Sequence, residues 1–133
     1  MTVFRAESPR PVAVSGRLGA TFPLIEGSVG GALLSLSTES EVRKLIASAP
    51  EDLLEKREPE LVFARIAECR AKGYCNSNGR NRWGIEVLSA PLLCGQQVLA
   101  AISVLGLAPD FSPLPALEHE LLKTRRLCEE LLA

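Results

Sequence analysis

The sequence predicts an α+β fold in which helices pack against an antiparallel sheet. Three observations carry this. The first half of the chain holds three segments whose apolar residues recur at helical spacing. The second half holds two runs of branched and small apolar residues joined by a short connection containing Gly95. The C-terminal end then returns to helical spacing, so strands and helices are segregated rather than alternating, as in an α+β sandwich. A chain of 133 residues makes one domain and buries about two-thirds of its unfolded surface.

Residues 2–6 read as a strand, broken by Pro9 and Pro11 before a second strand resumes at 12–15, with a turn at 16–19. Residues 28–36 read as a helix with Ala32, Leu33 and Leu36 on one face. Its thin side carries Gly27, Gly30 and Gly31, which suits close packing against a neighbour. Thr38 caps a second helix, with Glu41 completing a capping box, and that helix turns Val42, Leu45 and Ile46 inward before Pro50. Pro59 stands in the first turn of a third, whose Leu61, Val62, Ile66 and Cys69 follow one stripe up to Gly73, its natural C-cap. Residues 85–93 and 98–105 then form an antiparallel hairpin of central strands. A last helix starts at Ser112 and Pro113 with Leu117, Leu121, Cys128 and Leu131 as its apolar stripe.

Composition excludes several functions. Fifteen Lys and Arg against sixteen Asp and Glu give a net charge of -1, without the basic excess that grips nucleic acid, so no DNA contact is expected from this chain itself. The apolar run 98–108 is shorter than the about 20 residues a bilayer needs, and residues 1–10 lack the apolar stretch of a signal peptide, so no membrane partner is expected. The four cysteines, Cys69, Cys75, Cys94 and Cys128, include no CxxC pair and read as free thiols of a cytoplasmic protein.

No catalytic motif emerges, and the expectation is neither enzyme, metal site nor cofactor. His119, the only histidine, lies between Glu118 and Glu120 without HExxH spacing and reads as a solvated helical residue. No GxSxG elbow is present, and residues 27–31 lack the Lys-Ser/Thr of a phosphate loop.

The hairpin is more informative. Strand parity puts Ile85, Val87 and Ser89 on one face and Ala101, Ser103 and Leu105 on one face of its partner. Ser89 and Ser103 are the polar groups of those apolar faces. They either orient a small ligand or bond local backbone. The polar segment 76–84 carries Arg80, Arg82 and Trp83. It reads as a lid offering cations and an aromatic plate to an anion, or as a solvated loop.

Residues 17–24 (RLGATFPL) followed by 30–34 (GGALL) resemble the turn and helix of the effector-binding domain of IclR-type transcriptional regulators. Residues 7–12 (ESPRPV) are similar to the strands before that turn, and 70–74 (RAKGY) to the family's helix end. Residues 84–91 (GIEVLSAP) and 100–106 (AAISVLG) are similar to its two core strands. The resemblance covers nearly the whole chain, in order. It implies a GAF-like antiparallel sheet flanked by helices, with an effector pocket on one face. It also implies a winged helix-turn-helix domain, and the start of the effector domain, lying outside these 133 residues.

Carried over by motif, the family's effector-contacting positions fall at Leu18, Gly19, Ala20, Ser77, Val87, Ser103 and Leu105, and Ser89 joins them by parity. The resemblance also marks departures. Ser77 stands where the family often has aspartate, Val87 where it has cysteine, and Leu105 where it has a second serine; Ile25 and Gly31 replace a histidine and a lysine, and Arg80 and Arg82 replace an acidic loop. These changes remove hydrogen-bonding groups and add apolar surface, which favours a larger aromatic or apolar carboxylate, its acid group reaching Arg80 or Arg82, over a small oxoacid. The expected partners are therefore such a metabolite and further copies of the chain, as a homodimer or homotetramer. The alternative is a structural oligomerisation module whose pocket has degenerated.

Overall fold

The computed structural model describes residues 1–9, 16–81, 84–111 and 113–132. Its elements are α1 (Gly27–Leu33), α2 (Glu39–Ala47), α3 (Leu54–Arg57), α4 (Glu60–Lys72), β1 (Cys75–Asn76), β2 (Glu86–Cys94), β3 (Gln97–Gly106), a 3-10 turn (Ala108–Phe111) and α5 (Leu114–Leu132). The three strands form one antiparallel sheet in the order β1-β2-β3. This is the α+β architecture expected from the order of elements.

β2 is buried on both faces from Val87 to Pro91, which explains its unbroken apolar run. Its even positions turn toward α5: Leu88 and Ala90 join Tyr74, Phe111 and Leu121, with Ile102 and Val104 of β3 beside them. Its odd positions turn toward α1 and α4, where Ala32, Cys69 and Cys75 pack with Ala101. Behind α1 a second cluster, with no residue from the sheet, gathers Ile25, Leu34, Val42, Ile46, Leu53, Val62 and Ile66. The sheet is thus sandwiched between α5 and a double layer of helices.

Local chemistry sets the ends of the elements. Thr38 Oγ1 accepts the Glu41 N–H at 3.2 Å as the N-cap of α2. Gly73 closes α4 at φ 87°, a left-handed conformation that a side chain would strain. The β2–β3 register shifts between Leu92 and Leu93, leaving Leu99 as the extra residue of a bulge, 53% exposed.

Two glycines let α1 sit close to its neighbours. A Cβ at Gly30 would lie 2.6 Å from the Ile25 carbonyl carbon and 2.7 Å from Leu24 O. At Gly31 it would lie 2.7 Å from Arg65 Cβ and 3.0 Å from Cys75 Sγ. At α1's first residue, Gly27 N–H donates to Glu55 Oε1 at 3.0 Å, and the Arg65 guanidinium approaches the same oxygen at 3.4 Å. Glu55 and Arg65 are both buried, and Arg65 also donates to Arg80 O at 2.8 Å.

The structure corrects four expectations and adds two short elements. Residues 2–6 form no strand, and Val3 and Phe4 are exposed; the strand expected at 12–15 lies outside the described residues, as does Ser112. Helix α1 ends at Leu33, so the chain leaves helical geometry and buries Leu34 while Leu36 is exposed. Leu131 is 87% exposed because α5 runs on past the sheet it packs against. Among the described residues β3 forms the edge of the sheet rather than a central strand, and Ala100 to Leu105 are only half-buried. Finally, α3 and β1 were too short to carry a periodic signal. The four cysteines are free.

α5 is pinned by charge as well as by apolar packing. Glu129 Oε1 accepts Leu93 N–H at 3.0 Å and Arg125 Nε at 2.8 Å, and Arg125 NH1 donates to Gly73 O at 2.9 Å. Desolvation alone would raise the Glu129 pKa. The hydrogen bonds from Arg125 and Leu93 outweigh it and hold the carboxyl below the usual carboxylate range. A depressed folded-state pKa contributes stability that is present above the unfolded value and lost as pH falls through the folded one. Glu129→Gln is therefore expected to flatten the acid limb of the stability–pH curve, measured by urea unfolding at stepped pH, while wild type keeps losing stability below the ordinary glutamate range.

Candidate functional site

The odd face of the hairpin carries a line of three hydroxyls. Ser89 and Ser103 are cross-strand partners in the β2–β3 register, and their Oγ atoms lie 2.8 Å apart. Ser28, projected from α1, places its Oγ 2.9 Å from Ser89 Oγ and 3.1 Å from Val87 O. Ser28 and Ser89 are buried, and Ser103 is half-buried. The line therefore runs from the α1–sheet interface to a partly open position on β3.

A hydroxyl has one proton and two lone pairs, so this line has two polarities. With protons directed inward, Ser103 donates to Ser89, Ser89 to Ser28 and Ser28 to Val87 O, and Ser103 presents lone pairs outward. With protons directed outward, Ser28 donates to Ser89 and Ser89 to Ser103, whose own proton is then free. Val87 O remains satisfied in the second case, because Ser77 N–H donates to it at 3.0 Å. The same three atoms thus serve a ligand that donates or one that accepts.

Two thiols flank the line. Cys75 Sγ donates to Ser28 O at 3.2 Å, and Cys69 Sγ lies 3.9 Å from Ser89 O. The hydrogen bond with Cys69, together with burial, pushes the Cys75 thiol up and keeps it protonated. Both act as small apolar packing groups with weak donors.

The remaining expected residues fall in three places. Val87 pairs with Leu105 two rungs from the serines, the next pair on the same face; Val87 is buried and Leu105 half-buried. Ser77 is buried and its hydroxyl is consumed locally, accepting Val87 N–H at 3.2 Å and reaching Ile85 O at 3.4 Å, so it clips the loop to β2. The Leu18, Gly19 and Ala20 turn is tied to the start of the chain: Gly19 N–H donates to Thr2 O at 2.8 Å and Thr2 N–H to Ala20 O at 2.9 Å. Leu18 is 55% exposed.

Arg80 does not present a free cation. Its NH2 donates to both oxygens of Glu58, at 2.8 and 3.1 Å, so a nearby carboxylate already neutralises it. Arg82 and Trp83, the rest of the expected lid, lie outside the described residues. Ser28 is the member that sequence reasoning missed. Its register within a seven-residue, glycine-rich helix gives no periodic signal from which to orient it. Among the described residues no group of three or more His, Cys, Asp or Glu side chains could hold a metal ion. No helix among them is long and apolar enough to cross a membrane.

Residues 1–126 match the family model described as bacterial transcriptional regulator IclR C-terminal. No curated protein matches the chain in sequence. Several solved structures share its fold. The C-terminal domain of a transcriptional regulator from Vibrio cholerae aligns with TM-score 0.72 at 23% identity, over 93% of this chain and 75% of that one. An IclR transcriptional regulator from Alicyclobacillus acidocaldarius aligns with TM-score 0.77 at 21% identity, over 96% of this chain and 54% of that one. An IclR homologue from Microbacterium hydrocarbonoxydans, solved with 4-hydroxybenzoate, aligns with TM-score 0.65 at 21% identity, over 86% of this chain and 48% of that one. This chain thus spans about half the length of the latter two.

Proposed function

We propose that this chain, which belongs to the bacterial transcriptional regulator IclR C-terminal family, is the part of a regulator that senses a small-molecule effector. The observation that carries the proposal is the hydrogen-bonded line Ser28–Ser89–Ser103, which ends at a half-buried hydroxyl among apolar neighbours. A polar handle of fixed position on an apolar wall is what orients a small organic ligand. Val87 and Leu105 favour a ligand with an apolar or aromatic body. The ligand class proposed is an aromatic or apolar carboxylate, whose acid group would draw the Ser103 proton outward and select that one of the line's two polarities. The structural neighbour solved with 4-hydroxybenzoate binds a molecule of this class. Leu18, Gly19 and Ala20 would close over the ligand from the turn.

Binding would favour one arrangement of the domain and its associated copies over another. A DNA-binding segment outside this chain would read that difference. A structural oligomerisation role is the second reading, favoured by the half-buried apolar residues of β3 and by its edge position among the described residues.

The two separate in a thermal-shift screen against aromatic and aliphatic carboxylates. A ligand at a hundredfold excess over its Kd stabilises by about 2.7 kcal/mol. Ser103→Leu removes the handle and is expected to abolish the shift. Self-association with no ligand-dependent shift across the screen would support the oligomerisation role instead.

A further inference from the structure

The inner end of the serine line gives it a resting direction. A carbonyl only accepts, so Ser28 Oγ, 3.1 Å from Val87 O, is the donor of that bond. Ser28 then meets Ser89 with lone pairs alone. Ser89 donates to it across 2.9 Å, and Ser103 donates to Ser89 across 2.8 Å. All three protons find acceptors inside the protein, and the half-buried Ser103 turns lone pairs outward. In the opposite polarity the bond from Ser28 to Val87 O is broken, and one proton is left for whatever lies beyond Ser103. The empty site therefore rests with its protons directed inward. One buried bond of this kind shifts such an equilibrium by a factor of about two to ten.

Ligands meet this bias differently. A group that only accepts, such as a carboxylate, must turn all three hydroxyls and break the Ser28 bond to Val87 O. A group that only donates meets the resting polarity. A ligand hydroxyl does either. Turning the line also unties α1 from β2 at this point and leaves Ser77 N–H, at 3.0 Å, as the remaining donor to Val87 O. Ser28 is 1% exposed and stands two hydroxyls behind the outer end of the line.

We propose that Ser28 is a positioning residue that sets the site's selectivity between accepting and donating ligands, and that a carboxylate effector acts by releasing Ser28 from Val87 O. This rests on the effector reading above and names the contact within the domain that binding changes.

The test is an amide chemical-shift titration of the 133-residue chain with benzoate, benzylammonium and benzyl alcohol. The three share one aromatic body and respectively accept only, donate only, or do both. Dissociation constants are read at Ser89, Ser103 and Leu105. In Ser28→Ala the Ser89 proton keeps Ser103 as its partner in the line, which fixes the outward polarity. Benzoate is expected to bind about two- to tenfold more tightly than to wild type, benzylammonium more weakly by a similar factor, and benzyl alcohol within about twofold. A change that merely disturbed or displaced α1 would weaken all three together. In wild type, benzoate should also move the Ser77 amide proton downfield as that N–H becomes the remaining donor to Val87 O, and Ser28→Ala should abolish the movement.

Ser89→Ala cuts the line and should by itself shift the ratio of affinities toward benzoate, which decides the matter if Ser28→Ala fails to fold. In that background Ser28→Ala should change the ratio no further. An unchanged or weaker benzoate affinity in Ser28→Ala overturns the inference and leaves the effector reading standing. Absence of any shift at Ser89, Ser103 and Leu105 with all three probes contradicts the effector reading and this inference with it.

Discussion

Arg65→Met is expected to destabilise the protein by about 3–5 kcal/mol. Arg65 is 5% exposed and faces Glu55, itself 1% exposed, so removing the guanidinium strands a carboxylate in the interior. Two further losses follow from the same substitution. Arg80 O loses its 2.8 Å donor, which frees the loop after β1, and Glu55 Oε1 keeps only the Gly27 N–H. The double variant Glu55→Leu with Arg65→Met is expected to recover most of the loss, because no buried charge then remains. It should still fall short of wild type by about 1–3 kcal/mol, since Gly27 N–H is left unsatisfied. Urea midpoints at unchanged m-value measure both. A single variant within about 0.5 kcal/mol of wild type would show that the pair contributes little to holding α1 and α4 together.

Gly30→Ala is expected to cost about 1–3 kcal/mol, at the upper end of that range. The new methyl would fall 2.6 Å from the Ile25 carbonyl carbon and 2.8 Å from its oxygen. These are backbone atoms and cannot rotate aside, so α1 itself must move. Its displacement carries Ser28 away from Ser89 and breaks the 2.9 Å contact that begins the hydroxyl line. The same substitution should therefore weaken effector binding as well as stability. Gly31→Ala strikes Arg65 Cβ at 2.7 Å, an atom fixed by the α4 backbone, and Cys75 Sγ at 3.0 Å, so it must push α1 and α4 apart and should cost a similar amount. A loss below about 0.5 kcal/mol at either glycine would show that α1 shifts without strain.

How far the sequence reaches depends on the range of the forces involved. Local rules serve well: Thr38 as a cap, Gly73 as a left-handed stop and the two-residue alternation that aligns Ser89 with Ser103 all follow from one or two neighbouring residues. Interactions across the fold leave no local trace. Glu55 and Arg65 lie ten positions apart on different helices, and nothing in that spacing signals a buried pair. Arg80 looks like a free cation in sequence because Glu58, its partner, is twenty-two residues away.

Periodicity fails where an element is short or ends early. Leu36 follows the helical phase of α1, yet the helix stops at Leu33 and buries Leu34 instead. β3 has the composition of a central strand, and only the order of the strands among the described residues shows it at the edge. Residues 2–6 pair with no strand among the described residues, and Thr2 is held to Gly19 and Ala20 through its backbone. Ser28 combines both limits, being a long-range contact made from a short helix.

The measurement that bears most directly on the account is an amide chemical-shift titration of this chain with 4-hydroxybenzoate and a graded series of aromatic and aliphatic carboxylates. The account predicts saturable shifts centred on Ser89, Ser103 and Leu105, spreading to Ser28 through the hydroxyl line, and their loss in Ser103→Leu. Ligands that stabilise the protein while moving only residues elsewhere, or a whole series that leaves these amides unmoved, would contradict it.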